Sequence, residues 1–233
     1  MNETKIMPLF KKLYEDMKNK NFVIDKTGVK TVEVIDANIK ELNPEQEILN
    51  FNGRKTPLKY VKKELNWYDS MDLNIKGHVD DIEIWKKVSS DDGFINSNYG
   101  WCIYSPENHK QYKNSLNELI KNPESRRAMM IYTRPSMHYD YNRDGMSDFI
   151  CTNTTQQFIR NNKLIYRVDQ RSMDMVFGLF NDLAWHQTVY NRFYNDLKKE
   201  YPNLEKGYIN INIGSAHVYE RHFGMLEKIV ENA

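Results

Sequence analysis

Apolar residues recur at helical spacing over residues 4–19, where Phe10, Leu13, Tyr14 and Met17 share one face. Residues 22–35 alternate as strands do, around the turn signal Lys26-Thr27-Gly28. Thr56-Pro57 reads as a helix start, since proline's missing N–H costs nothing at the first helical position. Leu58, Val61, Leu65 and Tyr68 then continue as an apolar stripe. A third helix is predicted over 107–121, with Tyr112, Leu116, Leu119 and Ile120 inward. The second half turns to strands. Residues 128–133 read as a buried strand, Arg134 to Met146 as a long loop marked by Pro135, Asn142 and Gly145, and 150–160 with 164–172 as a hairpin about Asn161-Asn162-Lys163. The longest helix is predicted over 181–199, with His186, Val189, Tyr190, Phe193 and Leu197 on one face, and a last strand over 208–213. Helices and strands mix without a βαβ rhythm, and no repeat or linker divides the chain. The expectation is an α+β fold, a mixed β-sheet packed with helices, as a single domain over residues 1–233.

Charge narrows the partners. Thirty-three basic residues face 32 acidic ones, so no global field steers the chain toward nucleic acid or an acidic membrane. An anionic substrate must be met by a local cluster. Two cysteines, Cys102 and Cys151, make no disulfide framework and suit a reduced, cytoplasmic setting. The start MNETKIMPLF lacks the basic and apolar regions of a secretory signal, and no stretch approaches the roughly 20 apolar residues of a membrane span. No CxxC, HExxH, GxGxxG or P-loop occurs, so no metal is expected.

Several residues invite chemistry, each with an ordinary alternative. Cys151 follows a long polar loop at the start of a predicted strand; a thiolate is a strong carbon nucleophile, although most cysteines are buried small hydrophobes. Arg126-Arg127 and Gln170-Arg171-Ser172 border strands, where arginine forks match phosphate oxygens or simply stand in solvent. Asp182 shares the inward face of the long helix with His186; Asn181 or Asp182 also suits a helix cap. Glu64 sits on an aromatic helix face beside Tyr60 and Trp67, where a partly exposed glutamate is the commoner case. His217 falls in a polar turn after a strand, with a structural histidine as its default reading.

The ordered set Lys26-Thr27-Gly28, Glu64-Leu65-x-Trp67, Tyr99-Gly100, Ser125-Arg126-Arg127, Cys151, Gln170-Arg171-Ser172-x-Asp174, Asn181-Asp182 and His217-x-Tyr219 resembles the thymidylate synthase family. Segments FVIDKTGVKT, INSNYGW, IYTRPSM and HVYxRHF resemble its deoxycytidylate hydroxymethylase branch in T-even bacteriophages, from about residue 20 to 223. The resemblance implies a sheet-mediated homodimer in the cytoplasm of an infected bacterium. It implies that Cys151 attacks C6 of a pyrimidine nucleotide and that 5,10-methylenetetrahydrofolate is the co-substrate. Glu64 would act on the C5 proton and on water, and Tyr99 in the polar network around the base. Arg126 and Arg127 would reach the phosphate of the partner subunit's nucleotide. Arg171 and Ser172 would hold phosphate in their own subunit, His217 and Tyr219 would bind the sugar, and Trp85 and Asp174 would face the folate; the Lys26-Thr27-Gly28 turn is either a further phosphate-touching substrate contact or merely a turn.

The family's uracil-reading asparagine stands 31 positions after its nucleophile, and here that position is Asp182. A carboxylate accepts from the N4 amine of cytosine and repels the O4 lone pairs of uracil. The substrate-binding candidate Asn181 is the rival for this position, since a one-residue slip would restore a uracil-reading asparagine, but the Asn-Asp pair resembles that of the phage branch, which favours Asp182. Thr152 in place of a histidine and Lys26 in place of an arginine again follow the hydroxymethylase branch, whereas the short tail after Arg221-His222-Phe223 leaves either a truncated closing segment or another loop over the folate. The expected activity is therefore hydroxymethylation of dCMP. The alternatives are reductive methylation of dCMP or dUMP, and a non-catalytic nucleotide- or RNA-binding protein on the same scaffold.

Overall fold

A computed structural model of the chain describes residues 1–231; the end of the chain at Ala233 lies outside the described residues. In chain order the elements are α1 (Asn2–Lys18), β1 (Val23–Ile24), β2 (Lys30–Leu42), β3 (Asn50–Phe51), β4 (Arg54–Lys55), α2 (Leu58–Ser70), α3 (Glu83–Val88), α4 (Tyr99–Tyr104), α5 (Gln111–Lys121), β5 (Met129–Ile131), α6 (Met137–Asp140), β6 (Thr152–Arg160), β7 (Lys163–Asp174), α7 (Gly178–Glu200), β8 (Glu205–Tyr219) and α8 (Phe223–Glu231), with a 3-10 turn at Glu220–His222 before α8. Helices and strands mix as the α+β expectation has it. The chain divides into two compact units: Met1–Pro57 with Arg160–Ala233, and the continuous stretch Leu58–Ile159.

In the first unit the strand order is β1-β2-β8-β7, antiparallel except for the parallel pair β7–β8. The parallel register sets Tyr166 beside Ile209, Val168 beside Ile211, Gln170 beside Ile213, Ser172 beside Ser215 and Asp174 beside His217. Side chains two apart share a face, so one face of the pair runs from apolar to polar toward the strands' C-terminal ends. The long helix α7 packs along β7 and buries Val189, Tyr190, Phe193 and Leu197. The Tyr190 hydroxyl donates to the Leu164 carbonyl (3.1 Å) and accepts from Gly207 N–H (2.9 Å), tying α7 to both strands. His186 is wholly buried beside Tyr166, with neither ring nitrogen hydrogen-bonded among the described residues, and burial pushes its pKa down to about 3. It is a neutral core residue.

In the second unit α2 packs on α4, α4 on α5 and α5 on β5, which pairs antiparallel with β6. Trp67, Ile103, Leu119, Met130 and Ile150 are buried there. Asn161 and Asn162, both with positive φ, form the turn between β6 and β7 where the asparagine pair predicts it.

Four departures from the sequence reading have local causes. β2 runs on to Leu42, past the expected end at 35, because the positive φ of Asp36 and a register shift after Ile39 interrupt its alternation. β8 extends to Tyr219, so His217 lies within a strand and not in a turn. Gly214 masks that continuity, since any Cβ there would press on the Arg171 carbonyl oxygen of the adjacent strand. On α2, Leu58 is exposed while Glu64 and Trp67 are buried. The loop expected over 134–146 contains the short helix α6.

Candidate functional site

Within the second unit the two thiols differ sharply. Cys102 is buried in α4, and burial pushes its pKa up to about 12. Cys151 is half-exposed, one residue before β6, where its Sγ lies 3.9 Å from the Phe149 carbonyl oxygen. Of the two, Cys151 is the thiol that a substrate can reach. Its neighbour Thr152 donates its backbone N–H to the Tyr99 hydroxyl at 3.3 Å. Tyr99 opens α4, whose start is capped by Asn98 Oδ1 accepting from Trp101 N–H at 2.8 Å.

Glu64 is buried, against the expectation of a partly exposed helix residue. One turn earlier, Tyr60 donates its hydroxyl to Glu64 Oε1 at 2.8 Å. A buried carboxylate held by hydrogen bonding is a group with a defined aim. Trp85, on α3, lies edge-on to Trp67 at 5.0 Å, and its buried Nε1–H has no acceptor among the described residues. An acceptor on a bound ring system would satisfy it. Arg126 is exposed. Arg127 is also exposed and forks onto Glu118 Oε1 through Nε (3.1 Å) and Nη2 (2.9 Å).

The first unit gathers the other named residues. Lys26 is exposed on a turn held by Asp25, whose Oδ1 accepts from Thr27 N–H, Thr27 Oγ1–H and Val29 N–H, with Gly28 at φ +80°. On the polar end of the β7–β8 face stand Gln170, Ser172, Asp174, Ser215, His217 and Tyr219. The His217 and Tyr219 rings meet edge-to-face at 5.0 Å, and the Arg221 guanidinium lies over Tyr219 at 4.2 Å. Arg171 points to the opposite face and is exposed. Asp174 accepts from Val176 N–H (2.9 Å) and Phe177 N–H (3.2 Å) through Oδ1. Its Oδ2 faces His222 Nδ1 at 3.7 Å and retains acceptor capacity for a ligand N–H.

Asp182 corrects one alternative. The helix begins at Gly178, so Asp182 lies in its second turn and caps nothing. Gln170, itself buried, donates Nε2–H to Asp182 Oδ2 at 3.0 Å. Burial pushes the Asp182 carboxyl up to about 6, the Gln170 bond opposes that rise, and the charge of Asp174 adds to it. The Asn181 side-chain oxygen is buried without a hydrogen-bond partner among the described residues. Sequence reasoning named Gln170 only as part of a motif. Its role shows once β7 and α7 are packed together, because a lone glutamine in a strand carries no such signal.

Comparison with known proteins gives the family. The family model described as thymidylate synthase matches residues 9–233. The chain is similar to the deoxycytidylate 5-hydroxymethyltransferases of Enterobacteria phage T6 (47% identical over 214 residues) and phage T4 (46%), covering 91% of this chain and 85% of each relative. It is 30% identical over 219 residues to thymidylate synthase 1 of Bacillus subtilis strain 168, covering 87% of this chain and 71% of that protein.

Proposed function

The chain belongs to the thymidylate synthase family, and from that premise we propose that it hydroxymethylates dCMP at C5 to give 5-hydroxymethyl-dCMP. The observation that carries the choice of base is Asp182, an acceptor-only carboxylate when ionised, oriented by Gln170. An ionised carboxylate accepts from the cytosine N4 amine and finds no donor on uracil O4.

The Cys151 thiolate adds to C6 of the base, and the electron pair of the C5–C6 bond becomes nucleophilic at C5. Bound 5,10-methylenetetrahydrofolate supplies the one-carbon unit. Glu64, held by Tyr60, removes the C5 proton through water and directs a water oxygen onto the exocyclic carbon, which becomes the hydroxymethyl group. Elimination of the Cys151 sulfur restores the aromatic base. Tyr99 steadies the polar surroundings and the Thr152 amide beside the nucleophile. Arg171, Ser172 and Lys26 bind the 5′-phosphate, His217 and Tyr219 the sugar, and Asn181 the base edge. Trp85, with its unpartnered indole N–H, and Asp174, with a free acceptor position, suit the folate's polar ring edges. The protein works as a homodimer, and the exposed Arg126 and Arg127 complete the phosphate site of the partner subunit.

Incubation with dCMP and methylenetetrahydrofolate tests the reading. The expected products are a nucleotide heavier by CH2O and tetrahydrofolate. A nucleotide heavier by CH2, with dihydrofolate, would instead mean reductive methylation.

A further inference from the structure

The chain on both sides of Cys151 is fastened to one short segment, Asn96–Tyr99. Before the cysteine, the buried Asp148 accepts from the backbone N–H of Asn96 (2.7 Å) and of Ser97 (2.7 Å) through Oδ2. Its Oδ1 accepts from Ser97 Oγ–H (2.7 Å). Asn96 returns the contact, donating Nδ2–H to the Asp148 carbonyl oxygen at 3.1 Å. After the cysteine, Thr152 N–H donates to Tyr99 Oη. The segment is itself anchored: Arg134 donates Nη2–H to Asn96 Oδ1 (2.6 Å) and pairs with Asp140 at 3.1 Å. Regular structure begins only at Thr152, and residues 146–150 belong to no helix or strand. A nucleophile on irregular backbone needs such fastening, because misplacing a reacting atom by about 1 Å costs on the order of 100-fold in rate.

We propose that Asp148, with the Asn96–Ser97 amides, is a staple that positions the Cys151 sulfur for attack; Asp148 is a positioning residue and touches no substrate atom. The proposal rests on Cys151 being the nucleophile. It also specifies which property of Asp148 matters. An asparagine can turn its oxygen to the two amides and its NH2 to Ser97 Oγ, which then accepts, so the staple survives without the charge. An alanine leaves both amides and the hydroxyl unpaired.

The test measures kcat and KM for dCMP together with iodoacetamide labelling of each cysteine, read by peptide mass. Buried Cys102 reports folding, since it labels only when the unit opens. Asp148→Ala is expected to lower kcat on the order of 100-fold, by the displacement argument above, with Cys102 still protected. Asp148→Asn is expected to restore most of that loss. Where Asp148→Ala exposes Cys102, Ser97→Ala decides: it deletes one bond and is expected to lower kcat roughly three- to tenfold with Cys102 protected. Unchanged kcat in a folded Asp148→Ala or Ser97→Ala protein overturns the staple. So does an Asp148→Asn protein as impaired as the alanine variant. Cys151→Ser is run alongside: turnover surviving in that variant removes the nucleophile reading itself, whereas a dead Cys151→Ser beside an active Asp148→Ala removes only the staple.

Discussion

At the scale of single residues, Asp182 carries the sharpest consequence. Asp182→Asn loses the charge-assisted acceptor for the N4 amine and gains an amide that pairs with uracil O4 and N3–H. Charge-assisted bonds contribute about 1.5–3 kcal/mol, so the dCMP/dUMP ratio of kcat/KM should fall roughly ten- to hundredfold. An unchanged ratio would remove the basis for a cytosine enzyme. The same carboxyl sets a pH limb. Its pKa in the folded protein is raised to about 6, so kcat/KM for dCMP should decline as pH drops through 6, and the asparagine variant should lack that limb. The sign for stability is opposite. A raised folded pKa destabilises the fold above pH 6, and the penalty is relieved as pH falls from about 6 to 4, where the folded state takes up the proton before the unfolded one does. The Tm advantage of Asp182→Asn over wild type should therefore be largest above pH 6 and shrink in acid. For the proposed nucleophile, Cys151→Ser should retain dCMP binding, by calorimetry, but lose turnover, whereas Cys102→Ser should retain both. Cys151 and Asp182 are named from the resemblance of the ordered set to the family, and the structure adds that Cys151 is half-exposed and Asp182 bonded by Gln170. Gln170 and Asp148 were not legible in the sequence, because their roles depend on partners 12 and 51 or more residues away that only folding brings near.

Among the elements, the long α7 and the Asn161-Asn162 turn were readable, since helical periodicity over many residues and an asparagine pair are strong local signals. β2 and β8 were read short because a bulge and Gly214 interrupt their alternation. The helix α2 was placed correctly but rotated in the reading: its inward face includes Glu64, a residue that pattern alone assigns to solvent. The contact between α2 and α4 yields a direct test. A Cβ at Gly100 would overlap the Tyr68 carbonyl oxygen, which is rigid backbone. Gly100→Ala should therefore destabilise the protein by about 3 kcal/mol, at the upper end of overpacking costs, despite alanine's better helix propensity. The urea midpoint measures this, and a midpoint at or above wild type would show that the two helices can part without penalty.

For the whole molecule, the proposed sharing of arginines between subunits makes a complementation experiment decisive. Cys151→Ser and Arg126→Ala homodimers should each be nearly inactive. After denaturation and mixed refolding, heterodimers hold one site with both defects and one with neither, so activity should return to roughly a quarter of wild type, from the statistical share of heterodimers and their single intact site. No recovery despite demonstrated exchange would place Arg126 in its own subunit's site.

The order of strands also bears on how the protein is made. Only Lys30 and Thr31 of β2 pair with the preceding β1; the rest of the strand pairs with β8 and finds that partner only when residues 205–219 have been synthesised. At ribosomal speeds of about 5–20 residues per second, that leaves β2 waiting on the order of ten to thirty seconds. The stretch Leu58–Ile159, in contrast, is continuous and can begin to fold as it emerges. The nascent chain thus carries an Ile- and Val-bearing strand, paired only at its start with β1, through most of its synthesis, and its yield in a cell depends on what shields that strand during the wait.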